Sequence, residues 1–289
     1  MSETSRAPDR VVLNGVVGFI VGVAGGLVGL GGAELRLPYL AGILRLPLRT
    51  AIPVNLAVSL ITLLAALPTR LYTLKTASLI PFLRETSALG LGAAVGSYAG
   101  VSWLRRLSPV ALKLAVFALL LALGLVMMAE SVVAFAPLGV LPNAAVLRIV
   151  TALPFGFVIG AISGLLGVAG GEIIIPTLVL GFGAPMKVAG SLGQMVSIPT
   201  VLTGFVRHYR AGALADREIA RRVILPMGLG AVAGGILGGL LASLAPVSLL
   251  KALLGVILIG SSIKVFAGKP ATSRAGDGIP PPVRPAVRG

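Results

Sequence analysis

The sequence predicts an all-α polytopic membrane protein built from two copies of one unit, and three observations carry that reading. Of 289 residues, 56% are hydrophobic and only 11% are charged, with a mean hydropathy of +1.03. A soluble chain carries roughly 25% charge, and a soluble core of this size has no room for so much apolar surface. The apolar residues also cluster into runs approaching the roughly 20 residues that a spanning helix needs. Finally, the sequence matches itself without gaps when shifted by 138 residues.

Ten apolar segments follow one another, at 14–30, 33–46, 51–68, 87–103, 110–129, 149–168, 173–183, 188–206, 223–242 and 247–267. Eight are long enough to span, whereas the second and seventh are short and contain Pro38 and Pro176. They group into a first membrane repeat at 11–129 and a second at 149–267, joined by a linker at 130–148. The tail at 268–289 is rich in Pro, Gly and Arg and is expected to be disordered and cytoplasmic. The polar start runs into the first apolar segment without a credible cleavage site, so that segment reads as a membrane helix.

The internal match rests on specific residues. Gly18, Gly22, Gly26, Gly29 and Gly32 fall on Gly156, Gly160, Gly164, Gly167 and Gly170, and Gly92, Gly96 and Gly100 fall on Gly230, Gly234 and Gly238. Chance would give about two such coincidences at this glycine content, and the eight named here exceed that. The rarer residues agree as well: Glu34 falls on Glu172, Pro38 on Pro176, Ser59 on Ser197 and Thr62 on Thr200. Glycines four apart put small residues on one helix face, which lets helix backbones approach closely in lipid.

Net charge is +15, and there is no cysteine. The basic residues stand between apolar runs, as juxtamembrane anchors do, so nucleic acid is not an expected partner. Arg207, His208 and Arg210 end the eighth segment and read as cytoplasmic anchors. The absence of cysteine excludes disulfides and thiolate chemistry. The sequence contains no P-loop, HExxH or GxSxG motif, so neither a nucleotide cofactor nor a metal is expected and an enzyme is poorly supported.

The informative places are GLVGLGGAELRLP at Gly26–Pro38 and GLLGVAGGEIIIP at Gly164–Pro176. Clustered glycines there break the helix, and free backbone groups at membrane depth must be buried in protein or line a wet cavity. Matched breaks in two halves point to a transporter's binding site, and a helix N-terminus favours an anion. Gly31, Gly32, Gly170 and Gly171 are therefore candidate substrate-binding residues. Glu34 and Glu172 join them, because a carboxylate inside an apolar stretch is costly and is a functional hypothesis by default. Either they bind and release a proton during a cycle, or each caps its own glycine turn, with Arg36 as an alternative partner. Asn55, Ser59, Ser191, Gln194, Ser197 and Thr200 complete the set; they either line a path as neutral hydrogen-bonding groups or join helices at about 0.6 kcal/mol per contact.

The two turns, GLGGAELRLP and GVAGGEIIIP, and the stretch AGSLGQMVSIPTVLTGFVRHYR resemble the sulfite exporter TauE/SafE family of duplicated membrane proteins, from about Gly15 to Phe266. The resemblance implies transport of sulfite, sulfonates or related organosulfur anions. Many members carry an apolar residue where Glu34 and Glu172 stand, so the resemblance implies anion transport as a class rather than sulfite itself.

Two topologies fit. With both termini in the cytoplasm, parallel repeats place 16 Lys and Arg inside and 7 outside, and inverted repeats place 17 inside and 6 outside, Arg36 being left out. Inversion brings both glycine turns to the midplane from opposite sides, which suits alternating access, and is the preferred reading. The expected function is secondary transport of a small anion, of the organosulfur or sulfite-like kind, across the cell membrane, with Glu34 and Glu172 as the candidates for proton coupling if the transport is coupled. A passive anion channel and a membrane-embedded non-transport protein are the alternatives. The expected partners are the anion and the lipid bilayer, and homo-oligomer formation stays open.

Overall fold

The computed structural model describes residues 10–73, 76–104, 106–132, 139–141, 144–214 and 216–244, with isolated positions between 246 and 263. The expected tail at 268–289 lies outside them. Among the described residues all regular structure is helical. Helix α1 (Val11–Val28) ends at Gly29, and α2 (Ala33–Pro38) runs on as a π-helical turn at Tyr39–Ile43. Then come α3 (Leu48–Thr73), a 3-10 turn at Thr76–Phe82, α4 (Leu83–Leu104) and α5 (Pro109–Val132). The second half opens with α6 (Ala145–Leu166), then α7 (Gly171–Pro176) with its own π turn at Thr177–Gly181. It continues with α8 (Met186–Arg210) and α9 (Arg217–Leu241).

The elements recur at the spacing of the sequence match. Adding 138 to the bounds of α2 and its π turn gives those of α7 and its π turn. The cause is local chemistry shared by both copies. Gly29, Gly32, Gly167 and Gly170 all have positive φ, between 69° and 93°, which a side chain would strain. They end one helix and start the next. Pro38 and Pro176 then remove an N–H and crowd the preceding turn, and the helix widens into a π turn directly after each.

Packing fixes the helix directions. A Cβ on Gly18 would lie 2.1 Å from the Met227 carbonyl oxygen and one on Gly26 2.7 Å from that of Gly235, so α1 and α9 run parallel in backbone contact. The other halves of these pairs behave alike: Gly92 lies against Leu153 and Gly100 against Ala161, so α4 and α6 are parallel. By contrast Arg70, near the end of α3, touches Lys187 and Ser191 at the start of α8. Leu56, near the start of α3, lies beside Gly204 near the end of α8. The equivalent helices α3 and α8 therefore run antiparallel, and the two halves are inverted relative to each other. Because α3 also runs parallel to α9, through Ile61 beside Gly228 and Thr69 beside Gly239, it is parallel to α1. Segment α2 with its π turn is the return leg between them.

Six helices are long and apolar enough to cross a membrane among the described residues: α1, α3, α5, α6, α8 and α9. Of the other two expected spans, α4 has 22 residues, and the tenth segment is described only at isolated positions. The sequence reading is corrected in two places. Pro68 does not end the third segment, since α3 continues to Thr73 and carries Arg70 within it. His208 is no surface anchor: it is buried at the end of α8, while Arg207 lies over the Tyr98 ring at 3.6 Å and donates to Ser102 Oγ at 2.6 Å. Of the three, Arg210 alone is exposed.

Candidate functional site

The inverted halves bring their glycine turns together. A Cβ on Gly31 would meet the Ala169 side chain at 2.8 Å, and one on Gly171 would meet Leu30 at 2.9 Å. Only near-bare backbone permits two helix breaks to touch, so these glycines act first as spacers. Glu34 is buried, and its Oε1 accepts a hydrogen bond from the Ala169 N–H at 3.0 Å. The cap thus reaches across to the other half, and not to its own turn as one of the two sequence alternatives has it. Arg36 is not its ion-pair partner: the guanidinium donates to the Gly31 carbonyl and to Thr62 Oγ1, and no carboxylate lies within salt-bridge distance among the described residues. Glu172 is buried as well. Both carboxylates line one narrow cavity with Gly25, Leu30, Gly32 and Met127.

Helices α3 and α8 cross behind the turns and supply the remaining candidates. Asn55 donates to the Ala33 carbonyl at 2.7 Å and to the Gly167 carbonyl at 2.9 Å, so one amide ties the two turns. Ser191 Oγ accepts from Arg70 Nε at 3.2 Å. The hydroxyls of Ser59 and Thr200 bond back to the carbonyls of Asn55 and Val196 on their own helices. Gln194 and Ser197 differ: both are fully buried, and among the described residues neither the amide of Gln194 nor the hydroxyl of Ser197 has a hydrogen-bond partner. On α8 they lie one turn apart on one face. Buried polar groups of this kind are rare because each costs about 1–3 kcal/mol unpaired.

One residue of this region escaped the sequence reading. Arg70 binds the carbonyls of Gly26 and Leu27 at 2.8 and 2.7 Å, in the last turn of α1. The available signal was its match at the 138-residue spacing to His208, the single histidine. Among the described residues no cluster of three or more His, Asp or Glu is placed to hold a metal.

The family model for Sulfite exporter TauE/SafE matches residues 2–127 and 152–289, one stretch for each half. The probable membrane transporter protein YunE of Bacillus subtilis (strain 168) is 26% identical over 217 residues, covering 68% of this chain and 77% of that protein. No solved structure matches the chain. With buried helix breaks, crossing helices and a family match over both halves, the chain is a multi-pass membrane transporter that belongs to the sulfite exporter TauE/SafE family.

Proposed function

We propose that the chain is a secondary transporter of a small anion of the sulfite or organosulfur kind, coupled to protons through Glu34 and Glu172. The observation that supports it most is the pair of unpartnered buried groups, Gln194 and Ser197, on the α8 face near the joined turns. An amide N–H and a hydroxyl are neutral donors that bind an oxyanion without holding it too tightly for release. Two inverted halves meeting at broken helices are the arrangement that alternating access uses. Two ionised carboxylates beside that place would repel an anion. Protonation on loading removes the repulsion and couples proton and anion movement.

The test is flux in proteoliposomes under an imposed pH gradient, with sulfite, sulfate, thiosulfate, a sulfonate and a carboxylate offered separately. Gradient-driven flux of a sulfur oxyanion is the expected result. Flux that ignores the gradient would mean a passive channel, and no anion flux from folded, inserted protein would overturn the reading.

A further inference from the structure

Arg70 and His208 occupy matched positions of the two inverted halves, 138 residues apart, at opposite ends of the α3–α8 crossing. They reach for matched targets. Arg70 binds the Gly26 carbonyl, and the His208 imidazole sits beside the backbone of Gly164, which is Gly26 plus 138. From there the two ends diverge. The Arg70 guanidinium goes on to Leu27 O at 2.7 Å, Ser191 Oγ at 3.2 Å and Lys187 O at 3.2 Å. It therefore binds α1 of the first half and α8 of the second with a single buried fork. His208 is buried too, but among the described residues its Nε2 has no partner.

The surroundings are built to match. A Cβ on Gly190 would lie 2.6 Å from Arg70 Nη2 and 2.7 Å from the Val28 carbonyl oxygen, so glycine there leaves space for the guanidinium and for the end of α1. The position matched to Gly190 in the first half is Ile52, whose side chain closes on Gly167 at 2.7 Å from a Cβ built there. One end has room for a polydentate cation, and the other is filled by an isoleucine. The carbonyls that Arg70 takes are the orphan acceptors at a helix C-terminus, where a cation is also favoured by the helix dipole.

We propose that Arg70 is the gate residue of one end of the path, a positioning residue whose release from α1 and α8 is required before that end opens, while at the His208 end Arg207 holds α8 to α4 through Tyr98 and Ser102 and, among the described residues, no guanidinium ties α3 to α8. With more Lys and Arg inside, the Arg70 end is the outer one. This rests on the transporter reading above, but it concerns which end opens and needs no knowledge of the substrate. Hydrogen bonds from a charged donor each shift an equilibrium by about tenfold or more, so loss of the clamp should be visible in the population of open states.

The experiment uses the native absence of cysteine. A single Ser197→Cys reporter in the full chain, in vesicles of known orientation and without substrate, is labelled with a membrane-impermeant maleimide from each side. With Arg70 intact, labelling from the outer side is expected to be much slower than from the cytoplasmic side. Arg70→Gln should raise the outer rate about tenfold or more, and His208→Gln should leave it unchanged. Arg70→Lys, which keeps the charge and loses the fork, should also raise it, and it decides the matter if Arg70→Gln does not fold. Unchanged outer labelling in the inserted variants would overturn the proposal, as would outer labelling of the parent as fast as cytoplasmic labelling. Failure of anion flux with these labelling results intact would count against the substrate reading alone.

Discussion

The carboxylate of Glu34 caps the backbone N–H of Ala169, 135 residues away in the glycine turn of the opposite half, at 3.0 Å. A helix break leaves amides without partners, and at membrane depth water does not supply one. Here the first half supplies it to the second. A group proposed to carry a proton is therefore also a strut between the two glycine turns.

Those two roles separate by substitution. Gln at position 34 keeps an oxygen that accepts from Ala169 but cannot exchange a proton. Glu34→Gln should fold normally and lose gradient-driven flux, whereas Glu34→Ala should lower stability by about 1–3 kcal/mol by stranding the Ala169 N–H. Thermal unfolding in detergent beside proteoliposome flux reads both. Full gradient-driven flux in Glu34→Gln would leave Glu34 a strut only.

Gln194 and Ser197 offer the opposite contrast. Among the described residues their polar atoms have no hydrogen-bond partner, so replacing them with apolar groups removes a desolvation cost. Gln194→Leu and Ser197→Ala should be as stable as the parent or more stable, by up to about 1–3 kcal/mol, while the KM for the anion rises about tenfold or more. Unaltered transport kinetics in both variants would remove them from the path.

Asn55 joins both turns through donors alone. Asn55→Asp replaces an N–H pair with a carboxylate facing two carbonyl oxygens. The expected result is loss of about 3 kcal/mol or more and of flux, with thermal unfolding as the check. Asn55→Asp with parental stability would show that the amide bridge is dispensable.

The glycine stripes predict a third pattern. A Cβ on Gly160 would lie 1.9 Å from the Ala93 carbonyl oxygen and one on Gly96 2.0 Å from that of Phe157, whereas Gly42 has open space around it. Gly160→Ala and Gly96→Ala should each cost about 1–3 kcal/mol by forcing α4 and α6 apart. Gly42→Ala should be neutral or slightly stabilising. Equal melting temperatures across the three would refute the close-contact packing.

What the sequence determined by itself was everything set by local chemistry. Apolar runs gave the helices, and the αL glycines with Pro38 and Pro176 placed the breaks. The 138-residue match named Glu34 and Glu172 as partners in position. These follow from backbone sterics and from lipid as solvent, which act on neighbours in the chain. Only the tertiary structure decided what depends on direction in space. The α3–α8 crossing makes the halves antiparallel, so Glu34 reaches the opposite turn and leaves Arg36 to Gly31 and Thr62. Ser59 and Thr200 share the sequence signature of Ser197, yet their hydroxyls fold back on their own helices. Arg70 lies beyond Pro68 in the sequence, and only the continuation of α3 to Thr73 carries it into the contact between halves. A single helix leaves such side chains several possible partners, and the partner is chosen by whichever helix the other half brings alongside.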